Sequence, residues 1–113
     1  MTETPVAVIP DGGAYALELR HADGSVRGVI LLRRGAEVWA YLNRCPHFSL
    51  PLDFEPGVFA TYDGQIIMCA HHSAMFRYED GLCVDGPCAG HRLDAVAVQV
   101  ADGIVRLAPR DPA

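Results

Sequence analysis

Residues 44–49 read RCPHFS and residues 69–72 read CAHH. In each stretch a cysteine stands shortly ahead of a histidine, so thiol and imidazole donors occur twice on short segments. The candidate ligands are Cys45 with His47, and Cys69 with His71 or His72. Two Cys and two His suit a tetrahedral Zn²⁺, or a two-iron, two-sulfur cluster in which imidazoles replace the thiolates on one iron. Zinc fingers of that composition place the two Cys on one knuckle and the two His on another. Here each knuckle supplies one of each. Two such loops meeting tip to tip would offer both thiolates to one metal and both imidazoles to the other.

The elements that must carry these loops are short strands. Asp11-Gly12-Gly13, Asp23-Gly24, Gly35, Asp63-Gly64, Asp80-Gly81 and Asp102-Gly103 separate brief apolar runs. Asp-Gly between such runs marks a hairpin, because glycine accepts the positive φ of a tight turn. Tyr15, Leu17 and Leu19 alternate with Ala16, Glu18 and Arg20, the period of a strand with one buried face. Strands are expected at 29–33 and 37–42 around a turn at Arg34-Gly35, and at 58–62, 65–69 and 75–78. A closing hairpin of 95–100 and 104–107 should set Val96, Val98 and Val100 on one face. The fold class is all-β. With 113 residues, half of them hydrophobic, the chain suits one domain.

Residues 43–91 stand apart from this scaffold. They hold all four cysteines and four of the eight prolines, and Asp53, Glu55, Asp63, Glu79, Asp80 and Asp85 outnumber Arg44 and Arg77. The whole chain has a net charge of −5 and no lysine, which argues against a phosphate-binding surface. No apolar run approaches the roughly 20 residues of a membrane span. Residues 1–5 lack the basic start of a signal peptide, so the expected location is the cytoplasm. There, cysteines serve as ligands or plain thiols more often than as disulfides.

With both Cys/His pairs in this order, with Pro46 in the first loop and GLCVDGPCAG at 81–90 following the second, the chain resembles Rieske-type ferredoxins. The resemblance runs from the first β segment to the closing hairpin. It implies a Rieske fold in a single domain, 1–113, with an antiparallel base of residues 5–42 and 92–108 and a cluster-binding insert at 43–91. It implies one 2Fe-2S cluster, with Cys45 and Cys69 on the buried iron and His47 and His72 on the outer one. His71 is then a neighbour, since the family's second loop has its histidine three places after the cysteine. Residues 81–90 would form the proline-containing loop covering the cluster.

The implied function is non-enzymatic one-electron transfer, from a reductase to an oxygenase or other redox enzyme. The alternatives are a zinc-stabilised Cys2His2 interaction module and a small non-catalytic subunit of a larger redox complex. The family's second loop usually has glycine after the ligand histidine, where this chain has Ser73, and high-potential relatives carry an additional cysteine in each loop, where this chain has Leu50 and His71. They also place a serine and a tyrosine, hydrogen-bonded to the cluster or its ligand, where Ala74 and Phe76 stand. Fewer such bonds leave the reduced state less stabilised, which puts the potential in the lower part of the Rieske range.

Other reactive side chains have plain readings. Cys83 and Cys88 fit small buried thiols, Trp39 and Tyr41 sheet packing, and Asp53 and Glu55 a solvated loop. His21 fits a solvated turn, His91 the end of the insert, and Arg33-Arg34 a charged turn.

Overall fold

A computed structural model describes residues 2–20, 24, 26–44, 52, 59–69, 74–86 and 89–107. Among the described residues, ten strands run in the order β1 (Thr2–Pro5), β2 (Ala14–Arg20), β3 (Val26–Arg34), β4 (Glu37–Leu42), β5 (Ala60–Tyr62), β6 (Ile66–Met68), β7 (Met75–Arg77), β8 (Cys83–Asp85), β9 (Val98–Ala101) and β10 (Ile104–Leu107). A 3-10 turn, Val6–Val8, follows β1. Three antiparallel sheets result, ordered β1-β10-β9, β2-β3-β4 and β5-β6-β7-β8. The all-β expectation holds, and among the described residues no helix is long and apolar enough to cross a membrane.

The middle sheet owes its place to one apolar run. Val29, Ile30, Leu31 and Leu32 are all fully buried, because β3 is covered on both faces. Val29 and Leu31 pack with Ile9, Val38, Ala40, Val96, Val105 and Leu107 on the side of the terminal sheet. Ile30 and Leu32 point the other way, joining Tyr41, Leu52, Ile67, Cys69, Ala74, Phe76, Tyr78, Cys83 and Leu93. Each fully buried aliphatic or aromatic side chain contributes about 1.5–3 kcal/mol. The protein therefore has two cores separated by one sheet, and the second is shared with the four-stranded sheet inside residues 43–91.

Turn chemistry sets the registers. Arg34 pairs with Glu37 across Gly35-Ala36, and Ala101 with Ile104 across Asp102-Gly103, whose φ values are 53° and 74°. Positive φ at both central residues is the twist-matched hairpin geometry. After the cluster-loop region the chain returns to the middle sheet. The Leu42 amide donates to the Asp94 carbonyl (2.8 Å) and the Val96 amide to Ala40 (2.9 Å), before the chain crosses into β9.

Five details differ from the sequence pattern. Thr2–Pro5 forms β1 through pairing with β10, although its sequence has no alternating apolar face. Cys83–Asp85, within the expected covering loop, forms β8 beside β7. Tyr15 is exposed on β2, an edge strand among the described residues, rather than buried with Leu17. Val96 is buried and Val98 half-buried, but Val100 reaches beyond the cover of the core and is exposed. Arg33 and Arg34 end β3 instead of forming a turn: Arg33 donates to the carbonyls of Ile9 and Gly35, and Arg34 lies 5.0 Å over the Trp39 ring. His21 and Val58 lie outside the described residues.

Candidate metal centre

Of the four expected ligands, the structure describes Cys69; Cys45, His47 and His72 lie outside the described residues, as do Leu50, Asp53, Glu55, His71, Ser73 and Cys88. Cys69 directly follows β6 and is fully buried beside Ile67, Ala74 and Phe76. Its amide donates to the Ala74 carbonyl at 2.7 Å, so β6 and β7 close the base of the 70–73 segment by a backbone bond.

The segment carrying Cys45 and His47 leaves the end of β4 and returns at Leu52. The two ends meet: the Leu52 amide donates to Asn43 Oδ1 at 2.8 Å. The Asn43 amide is itself held by the Gly28 carbonyl (2.9 Å), and Arg44 Nη2 lies 2.8 Å from Asp94 Oδ2. The Leu52 side chain is fully buried in the same core as Cys69. The bases of both ligand segments therefore share one apolar floor.

The third segment approaches through Gly86. A Cβ on this residue would fall 2.7 Å from Ala74 Cα, at a φ of +97°. Only glycine lets this backbone come so near the base of the second ligand segment. Around it, Cys83 Sγ donates to the Asp85 carbonyl (3.1 Å), the Gly86 amide to Asp85 Oδ1 (2.8 Å), and the Gly90 amide to the Cys83 carbonyl (3.1 Å). Cys83 is buried, in keeping with the thiol reading. The His91 carbonyl accepts from the Cys83 amide at 2.8 Å.

Below this region, Tyr78 stitches the four-stranded sheet to the base. Its amide donates to Gln65 (2.9 Å), its hydroxyl to the Gly12 carbonyl (2.7 Å), and its carbonyl accepts from Tyr41 Oη (2.5 Å). Trp39 meets the Tyr78 ring edge-on at 6.2 Å, which agrees with a packing role for Trp39 and Tyr41. Burial pushes the Tyr41 hydroxyl up to about 12, with Asp80 and Glu79 adding to the shift, and burial likewise raises Tyr78. Asp80 is held down to about 2, chiefly by its hydrogen bonds from Arg77, then by the Leu82 amide. These groups brace the β7–β8 turn.

The residues present fit an iron–sulfur group. A buried cysteine directly follows a strand, a nearby residue with only a methyl side chain meets a glycine, and the bases of both candidate ligand segments converge on one core. Sequence reasoning passed over Asn43, Tyr78 and Gly86. The Asn immediately after a strand and two places before a candidate ligand cysteine was the available signal for the first.

An all-β scaffold of three antiparallel sheets with converging loop bases defines the class: a small β domain built to present a metal centre. The chain matches the Rieske [2Fe-2S] domain over residues 2–102 and belongs to that family, whose cofactor is one 2Fe-2S cluster. That membership sets aside the zinc alternative. No match was found among curated proteins. The fold is similar to the terminal oxygenase of carbazole 1,9a-dioxygenase from Novosphingobium sp. KA1, with TM-score 0.74, 22% identity, and coverage of 98% of this chain and 30% of that one. It is similar also to the ferredoxin of carbazole 1,9a-dioxygenase from Nocardioides aromaticivorans IC177, with TM-score 0.72, 24% identity and 97% of each chain covered. A chain in a complex of reduced oxygenase and oxidized ferredoxin in carbazole 1,9a-dioxygenase matches with TM-score 0.73, 23% identity, and 92% and 96% covered. The chain thus spans about 30% of the terminal oxygenase it resembles and nearly all of the ferredoxin.

Proposed function

We propose that the chain is a one-electron carrier whose 2Fe-2S cluster is held by Cys45 and Cys69 on one iron and by His47 and His72 on the other. It passes electrons from a reductase to an oxygenase or other redox enzyme in the cytoplasm. The observation that carries this reading is the reciprocal coverage of 97% with a ferredoxin. The base of residues 5–42 and 92–108 serves as scaffold, and residues 43–91 as the cluster-binding insert within a single domain, 1–113.

The cluster, when bound, supplies a site that accepts and releases one electron with little change of geometry. The protein's part is to hold the ligands still. Cys69 is fixed by the β6–β7 base, and the Gly86 backbone lies against Ala74. Asp63, Glu79 and Asp85 are exposed on the insert, and Asp80 is occupied by Arg77. This acidic balance favours partners with a basic docking face, and it acts more on the rate of encounter than on affinity.

Iron and acid-labile sulfide analysis, with an EPR spectrum of the reduced protein, tests the reading. The expected sample is brown, with equal iron and sulfide and a signal that appears on uptake of one electron. A colourless, iron-free protein from anaerobic purification would overturn it.

A further inference from the structure

We propose that Asn43 is a positioning residue for the metal centre: its carboxamide oxygen, by accepting the Leu52 amide, clamps the two ends of the segment that carries Cys45 and His47. The inference rests on the ligand assignment proposed above.

The clamp starts from a fixed backbone. Asn43 follows β4, its amide donates to the Gly28 carbonyl of β3 at 2.9 Å, and the next amide, Arg44, turns back to Leu42 at 2.8 Å. Arg44 is tied in turn to Asp94. The side chain of Asn43 therefore leaves an anchored position. At the other end, Leu52 is fully buried among Cys69, Ala74 and Phe76, so its place is set by the core beneath the second ligand segment. The backbone N–H of so buried a residue needs an acceptor, and Asn43 Oδ1 provides one at 2.8 Å.

The two ligand segments thus differ in how they are closed. At the second, the Cys69 amide meets the Ala74 carbonyl, a backbone bond that no substitution of a side chain deletes. At the first, closure among the described residues runs through the side chain of Asn43. Residue 43 needs a short planar acceptor, which Asn and Asp supply and Ala does not. Asp would keep the acceptor but add a negative charge two positions before Cys45, which disfavours the added electron. Holding and charge can therefore be separated by two variants at one position.

The test measures the rate of cluster loss under an anaerobic iron chelator, followed by visible absorbance, together with the midpoint potential. For N43A the expected loss is about 10–100-fold faster than in the parent, the usual cost of removing a group that orients metal ligands. N43D should lose its cluster at close to the parental rate while its midpoint potential falls. Parental loss rates in N43A, or loss in N43D as fast as in N43A, overturn the proposal. If N43A does not fold, N43D decides: a folded, cluster-loaded N43D with lowered potential supports the clamp, and an N43D that fails to fold or load refutes it. C45S distinguishes the underlying reading. A C45S protein that keeps its cluster overturns the ligand assignment, whereas a C45S protein that loses it, beside an N43A that behaves as the parent, overturns the clamp alone.

Discussion

Replacing Gly86 by alanine should damage the protein more than the same change at Gly90, although both glycines have a φ near +90°. The difference lies in what the new methyl group meets. At Gly90 nothing lies within 4 Å, so only the backbone strain of a non-glycine at positive φ applies, about 1–2 kcal/mol. At Gly86 the methyl carbon would fall 2.7 Å from Ala74 Cα, 3.2 Å from its nitrogen and 3.3 Å from its Cβ. Carbon atoms pack best at about 3.5–4.0 Å, and the crowded atoms are two of the backbone and a methyl carbon fixed to it, which cannot turn aside. Forcing such a group into a packed site adds about 1–3 kcal/mol. At about 4 °C per kcal/mol for a domain of this size, G86A should melt roughly 4–12 °C below G90A. The assay is thermal unfolding of the cluster-loaded variants by circular dichroism, with bleaching of the visible absorbance read in parallel. Because the contact is with the base of the second ligand segment, bleaching in G86A should precede the main unfolding transition. Coincident midpoints for G86A and G90A, or a G86A protein as stable as the parent, would refute the close-approach argument.

Three further outcomes are expected. Asp80 has its folded pKa lowered from 3.8 to about 2, so it contributes stability above about pH 4 that disappears as the pH falls toward 2; D80N should flatten this acid limb in denaturation curves taken from pH 5 to 2. Y41F removes the hydrogen bond to the Tyr78 carbonyl and should cost about 1–2 kcal/mol at neutral pH by chemical denaturation. In the parent, where the Tyr41 pKa is raised to about 12, the stability linked to its neutral form should decline between about pH 10 and 12, a decline that Y41F lacks. F76Y places a hydroxyl on a buried ring in the core that contains Cys69. If that hydroxyl bonds about 1 kcal/mol more strongly to the reduced centre, the midpoint rises by about 40 mV, readable by redox titration.

The sequence disclosed the features that depend on neighbours along the chain. The limits of β4 at Glu37 and Leu42, the Asp102-Gly103 hairpin and the buried run 29–32 all follow from local pattern and turn chemistry. The strand Thr2–Pro5 did not show, because it is made by pairing with β10: Thr4 is buried opposite Val105, at the far end of the chain. β8 was obscured for a similar reason, since three residues just ahead of a glycine become a strand only when β7 lies beside them. At the proposed metal centre, the candidate donors and their spacing were visible in the sequence, and the structure describes one of them, Cys69, directly after β6. The supports were not. Asn43 finds its partner nine positions on and Gly86 meets Ala74, contacts that no periodicity announces.

The strand β3 serves as a wall common to two rooms. Alternate residues along it report on different compartments: truncating Val29 or Leu31 loosens the chamber against the terminal sheet, while truncating Ile30 or Leu32 loosens the chamber under Cys69. Neighbouring positions on a single strand therefore offer a matched pair of probes, one tuning the thermal resistance of the scaffold, the other the compliance of the ground on which the redox centre stands.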